Sequence, residues 1–471
     1  MQPSHVFRRL SAVAVLALAA ACGGGDSPSG PNPPTPVPPT PSPSPDTEAP
    51  TVSYVSPAAD TTVAQAGVTV QGKASDNVGV SRVTYTVDGG GEQEVAITAG
   101  TSPTFQFTVQ GLSEGSHTLV LRAYDAAGNR AEAGRNVTYA RQFAYTLTVV
   151  PLLSGTVAAT PFGLSEDGRV AGEARNGAGS PRPFTWRSSQ LTALPLLPGH
   201  ITGRAYAVNS AGQSAGYSST SVDQVVDPGE VFRAILWQNG EARDLGDLGG
   251  GTAVAQGINQ DGVVVGASTR SAGIVFKPFL WDGSMQELPT LGGANGGATD
   301  VNRARQVVGG ADDAQGRTRA FLWQNNQMTD LGSLTSDGTS TALAINEAGQ
   351  IAGYSGRETS SQRAFLWENG TIRDLGSLEA GGFAAAGDVN ASGVVVGTTK
   401  SGSGSTGFRW SNGIMEDLNA LMAPGSGFTV VFAIQINDAG QIAAEAVESS
   451  SGQRRTVLLT PNPTASASVN R

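Results

Sequence analysis

Cysteine occurs once in this 471-residue sequence, at Cys22. No disulfide can therefore form within the chain, and a cysteine-based metal centre or catalytic thiol in a folded part is excluded. Histidine occurs three times, as His5, His117 and His200, too sparsely to assemble a multi-histidine zinc site. Lysine is also found only three times, no run of basic residues occurs, and the net charge is -10. Phosphate backbones need a basic patch, so nucleic acid is excluded as a partner. The longest apolar run, Leu10 to Leu18, is too short to span a bilayer stably.

What is abundant is glycine, 63 residues, together with Asn and Ser, which points to many short strands joined by tight turns and so to an all-β chain. The length exceeds one core, so at least two folded units are expected. Residues 1–21 read as a signal peptide, with Arg8 and Arg9, an apolar stretch and the small trio Ala19-Ala20-Ala21. Cys22 follows, and the segment resembles a bacterial lipoprotein box, which implies lipidation of Cys22 and, with Gly23 next, placement at the outer membrane or cell surface. Ordinary cleavage would instead release a secreted protein with a free Cys22 thiol. The rest of 22–50 is proline-rich and reads as an extended polyproline spacer, with a PxxP ligand as the weaker alternative.

Residues 51–141 alternate with period two in short runs, such as Val68-Val70, Val83-Tyr85-Val87, Phe105-Phe107-Val109 and Leu119-Leu121, separated by turn signals such as Asp76-Asn77 and Asp88-Gly89. Such spacing predicts a β-sandwich. The segments APTVSYVSPAAD, GKASDNVGVSRVTYTVDGG and LSEGSHTLVLRAYDAAGN resemble bacterial Ig-like domains. There His117 takes the place of a structural corner tyrosine. Asp76, Asp125 and Asn129 offer oxygen ligands for calcium, or equally well cap their own turns.

Residues 142–460 repeat themselves. The six Trp, at 186, 237, 281, 323, 367 and 410, are spaced by 51, 44, 42, 44 and 43 residues, a propeller-like period. The clearest unit is ALAINEAGQIAGYS followed by RAFLWENGTIRDLGSL. Strand A ends in Ile345-Asn346, Asn346 to Gly349 form a turn, strand B is 350–355, strand C 363–368, Asn369-Gly370 a type I′ hairpin, and strand D 371–378. The first turn recurs from Ser165, Asn209, Asn259, Asn302, Asn346, Asn390 and Asn437. Glycine stands three residues on except at Arg305, where another turn type or strain is expected. The pattern resembles the HAF-type bacterial extracellular repeat family, whose motif joins His-Ala-Phe-Leu-Trp to Ile-Asn-x-x-Gly and Asp-Leu-Gly. Arg233, Lys277, Arg319 and Arg363 hold the place of its His, with Thr406 in a sixth copy. The resemblance implies no catalytic activity and no cofactor.

Strands A, B and C each occur seven times. The first D strand, Tyr145 to Leu153, precedes any A strand, and none follows Leu459. This permutation predicts a seven-bladed propeller of four-stranded blades, with an N-terminal strand completing the last blade, followed by a disordered tail at 461–471. Repeated charge pairs such as Arg363 with Asp374 read as scaffold and the Trp set as core. The variable B–C and D–A loops share one face, and binding usually resides on such loops. Candidate ligand residues there are Tyr217, Asp223, Asp227, Glu230, Asp312, Asp313, Arg317 and Tyr354. The function expected is that of a monomeric, non-enzymatic surface module binding a glycan, protein or matrix ligand. The alternatives are a propeller glycosidase or lyase using paired carboxylates, and a purely structural envelope protein.

Overall fold

The computed structural model describes residues 44–63, 66–113, 115–140, 143–221, 231–270, 275–336, 338–402 and 404–462. Every element longer than one helical turn is a strand, so the chain is all-β. Its contacts divide it into two compact units, one drawn from residues up to Thr138 and one that takes everything from Tyr139 on.

The first unit is built from two antiparallel sheets. Strands Thr51–Ser56, Gly67–Ser75 and Thr104–Gln110 form one, and a second of five strands centres on Gly115–Asp125 and Val80–Val87. The period-two pattern sends Ala74, Val83, Phe105, Leu121 and Ala123 into a shared core. His117 is 7% exposed, and its Nδ1 lies 2.7 Å from Asp88 Oδ2. That bond, with the Thr118 N–H, holds the Asp88 carboxyl below its usual range.

The second unit contains seven four-stranded antiparallel sheets. Six are formed in chain order within 156–193, 202–244, 253–287, 292–330, 340–374 and 384–417. In the seventh, Phe428–Ile436, Ile442–Glu448 and Arg454–Pro461 are completed by Tyr145–Val149, with Leu459 opposite Leu147. The displaced first strand thus covers the outer edge of Arg454–Pro461. Cores lie between sheets: Leu236 of the second packs with Ala255 and Phe279 of the third, and Ala443 and Leu458 of the seventh pack with Val170, Phe184 and Trp186 of the first. The succession of sheets therefore returns on itself.

The turn after Trp explains the regularity of the repeats. Asn239, Asn369 and Asn412 adopt φ of 54°, 50° and 51°, each followed by glycine, as a two-residue primed turn requires. The turn at Asn302 keeps the same hydrogen bond as its copies, from Arg305 N–H to the Asn302 carbonyl at 3.0 Å, with Arg305 at φ 60°. It is the same turn carrying left-handed strain, and no other type is needed. Strand D is shorter than expected, ending at Asp374, because the Asp374 carboxylate takes the Gly376 N–H and turns the chain.

Candidate ligand cavity

In all seven sheets the pairing of strands A and B slips by one residue at the same place. The unpaired residues are Phe162, Tyr206, Gln256, Thr299, Leu343, Gly387 and Ile434. A bulge frees its extra residue from the ladder and re-aims the side chain. All seven line one central cavity of about 650 Å³. The backbone device is the same in each sheet while the side chain it presents differs.

One residue further along, strand B varies in the same way after its small residue. The positions are Glu173, Tyr217, Ala267, Gly310, Tyr354, Thr398 and Glu445, opposite Thr160, Arg204, Val254, Gly297, Thr341, Ala385 and Phe432. Large and charged groups cluster in the seventh, first and second sheets, whereas the third, fourth and sixth carry small ones. The cavity is therefore lopsided.

Its heavy side is backed by a network of side chains, of which Thr160, Phe162, Tyr206, Phe432, Glu445 and Arg454 line the cavity. Glu445, 4% exposed, pairs with Arg454 and accepts a hydrogen bond from Thr160 Oγ1 at 2.8 Å. Glu173, 2% exposed, accepts from Arg175 Nε at 2.7 Å. Arg204 Nε approaches its other oxygen to 2.5 Å without hydrogen-bond alignment, so that contact is an ion pair. Arg204 also donates to the Tyr206 hydroxyl at 3.2 Å and lies 5.6 Å from the Phe162 ring, and Arg454 lies 5.5 Å from that of Phe432. Phe162, Tyr206, Tyr217 and Phe232 follow one another at centroid separations of 5.1, 5.9 and 5.2 Å. Burial pushes the Tyr217 hydroxyl well up.

Below this level the space narrows to one of about 140 Å³, which shares Ala207, Asp300 and Gln435 with the larger. Asp300 and Asp388 hold the same register position, opposite Val308 and Val396, and accept from the backbone N–H of Ile345 and Ile436 in the next sheet. Burial pushes Asp300 up to about 6 and pushes Asp388 well above its ordinary value, the latter helped by the charge on Asp300. Around this end the turn asparagines interlock. Asn209, Asn259, Asn302, Asn346 and Asn390 each donate Nδ2 to the backbone carbonyl of the next Asn, and Asn437 donates to Ser165.

Two of the residues expected on loops, Tyr217 and Tyr354, are strand residues at the varying position just described; Tyr217 is 3% exposed and packs against Tyr206, which lines the cavity. Strand B continues two residues past Tyr217, which places the residue inside the sheet and not in the loop that follows. Asp312, Asp313 and Arg317 form a self-contained turn in the fourth sheet: Asp313 accepts from Gln315 N–H, Arg317 N–H and Arg317 Nε, and Asp312 from Asn295 and Thr318. Asp223, Asp227, Glu230 and Cys22 lie outside the described residues. Glu173, Arg204, Glu445 and Arg454 were missed, although for Glu173 and Glu445 the position after the small residue of strand B was a visible signal, since it changes character from copy to copy.

In the first unit Asp46, Asp76 and Asp125 bring carboxylate oxygens within 4.8 Å of one another, an arrangement that oxygen-seeking cations favour. The same groups close turns. Asp76 Oδ2 accepts from Val78 and Gly79 N–H, and both oxygens of Asp125 accept from Asn129. Asn129 presents its amide nitrogen to Asp125 and to the carbonyls of Asp46 and Glu48, as a clamp.

Residues 50–120 match the bacterial Ig domain family. Halomucin of Haloquadratum walsbyi is 38% identical over 84 residues, which is 18% of this chain and 1% of halomucin's length. Solved structures with similar folds include a Bacteroides thetaiotaomicron protein of unknown function (11% identity, 88% of this chain and 99% of that one, TM-score 0.33). A gluconolactonase from Xanthomonas campestris (12%, 68% and 90%, 0.32) and the six-bladed propeller lectin of Aleuria aurantia (13%, 66% and 95%, 0.30) are others. Among the described residues no helix is long and apolar enough to cross a membrane.

Proposed function

We propose that this protein is a lipid-anchored bacterial surface module that holds a seven-bladed HAF-type propeller away from the membrane and binds a ligand in the propeller's central cavity without turning it over. Cys22 carries the lipid, the proline-rich segment and Ig domain serve as stalk, and a single chain completes the ring. One observation carries the reading. The same bulge in every sheet brings seven different residues to one space, six with side chains and Gly387 with none, the arrangement of a rigid scaffold with a specified interior. The buried carboxylates favour binding over catalysis, because guanidinium groups already engage Glu173 and Glu445 as positioned acceptors.

A carbohydrate-active enzyme is the second reading, favoured by the nearness of Glu173 and Glu445, which flank Thr160 in one wall. Calorimetry against glycans, envelope proteins and matrix fractions, with product analysis of the same mixtures, separates the two. Saturable binding without product supports the module. Turnover lost in Glu173→Gln or Glu445→Gln establishes the enzyme.

A further inference from the structure

Resting on the reading of the cavity as the binding site, we infer that it takes the neutral, hydroxyl-rich end of a saccharide chain, entering from the B–C loop face. Three features select this chemistry.

The first is charge. Arg175 and Arg204 are paired with Glu173, and Arg454 with Glu445, so an anionic ligand would have to compete for each guanidinium with a carboxylate already in place. Breaking a buried pair by removing its partner is strongly unfavourable. A neutral ligand leaves the pairs whole and uses their outer faces.

The second is unspent hydrogen bonding. Gln256 and Gln435 both line the cavity, are only partly exposed, and have side-chain amides that bond to no other described residue. Each amide offers two donors and an acceptor, the reciprocal of a pair of ligand hydroxyls. Amides that face the cavity solvent can exchange their water for ligand hydroxyls of matching geometry. Phe162, Tyr206 and Phe432 stand beside them as flat apolar surfaces for the C–H face of a sugar ring.

The third is shape. At about 650 Å³ the space lies inside the range of roughly 300–1,000 Å³ usual for small-ligand sites. It narrows at Ala207, Asp300 and Gln435 towards the asparagine ring, and Glu445 and Arg454 mark its wide end near the B–C loops. A polymer running through would have to pass the constriction. A chain end need not.

The test is calorimetric titration of the full protein with a panel of neutral mono- and oligosaccharides, uronic-acid and sulfated counterparts, and cyclic glucans that have no chain end. Leu343→Trp, which fills the hollow side without touching the charged wall, and Gln256→Ala are titrated alongside, with melting temperature as a control on folding. The inference expects saturable binding of neutral chains with free ends, about tenfold weaker in Gln256→Ala and lost in Leu343→Trp. Preference for acidic glycans, equal binding of cyclic glucans, binding that survives Leu343→Trp, or no binding across the panel overturns it. Binding of a protein or matrix fraction that Leu343→Trp abolishes would overturn the saccharide inference and leave the cavity reading standing, whereas product formation would overturn the binding module itself.

Discussion

Asn437 Nδ2 donates to the carbonyl of Ser165 at 3.1 Å, joining two turns 272 residues apart in the chain. Five equivalent asparagine bonds precede it around the ring, and each amide also serves its own turn. Asn346, for instance, accepts from Ala348 and Gln350 N–H while donating to Asn390 and Gln350. Replacing Asn346 by Ala removes all four of these hydrogen bonds, although the Asn390 carbonyl keeps the Gly393 N–H, at a cost of about 1–3 kcal/mol. Urea denaturation should show a lowered midpoint at unchanged m-value.

The seventh place in that ring is held by Ser165, whose hydroxyl is committed to Asp167 and cannot reach across to Asn209. Ser165→Asn supplies the missing amide at a position whose six copies already carry it. A gain of about 0.5–1.5 kcal/mol is expected, the usual net worth of one hydrogen bond. A lowered midpoint in the same urea experiment would show that the first turn is built differently from its copies.

Strand Tyr145–Val149 lies along Arg454–Pro461, with Val149 opposite Val457 and Tyr145 opposite Pro461. Its removal bares the edge of the seventh sheet and uncovers Leu459, so deletion of 145–149 should lower the melting temperature and produce larger species on size exclusion. A transition identical to that of the intact chain would show that the strand closes nothing.

Asp300 and Asp388 give stability a pH dependence of identifiable sign. Burial pushes Asp300 from an ordinary 3.8 up to about 6, against the pull of the Ile345 and Val301 N–H groups, and Glu347 adds to the rise. The folded state therefore holds this proton more tightly than the unfolded chain does. Its contribution is complete below about pH 4 and is lost as pH rises through 6, by up to about 3 kcal/mol. Asp388 acts in the same direction, raised by burial and by Asp300. Melting temperatures between pH 4 and 7 should fall with rising pH, and Asp300→Asn should flatten the slope.

Much of the architecture was legible because the repeats state it redundantly. Asn-Gly after Trp fixes a primed turn whichever copy is read, and Tyr145–Val149 was visible as a D strand out of phase with the rest. The interior was harder to read, since a bulge leaves no residue signature of its own. Phe162, Gln256 and Gly387 share a backbone position and nothing else. Alternation places each of them by count, but one inserted residue changes the face, so the sequence pattern pointed outward to loops such as Asp312 to Arg317. Those residues instead satisfy one another. The pairing of Glu445 with Arg454 and Thr160 joins strands from both ends of the repeat region, and no local pattern announces it.

The small residue of strand B sits opposite a large residue of strand C, a phenylalanine in five sheets and Ile235, facing Gly216, in the second. Gly172, Gly266, Gly309, Gly353 and Gly397 face Phe184, Phe279, Phe321, Phe365 and Phe408, whereas in the seventh sheet Ala444 faces Val457. A methyl added at Gly353 would stand 2.1 Å from the Thr341 carbonyl and 2.9 Å from Phe365 Cζ. Gly353→Ala should cost about 1–3 kcal/mol through overpacking, with the strand forced to shift. Adding Phe365→Val removes the ring contact but not the carbonyl contact, so it should recover part of the loss. The seventh sheet accommodates its alanine with a second register shift, between Val430 and Phe432. In a double-mutant cycle the alanine should be cheaper beside valine than beside phenylalanine by about 0.5 kcal/mol or more. Strict additivity of the two substitutions would mean that Ala444 and Val457 are not a compensating pair, and that the backbone shift alone makes room for the methyl.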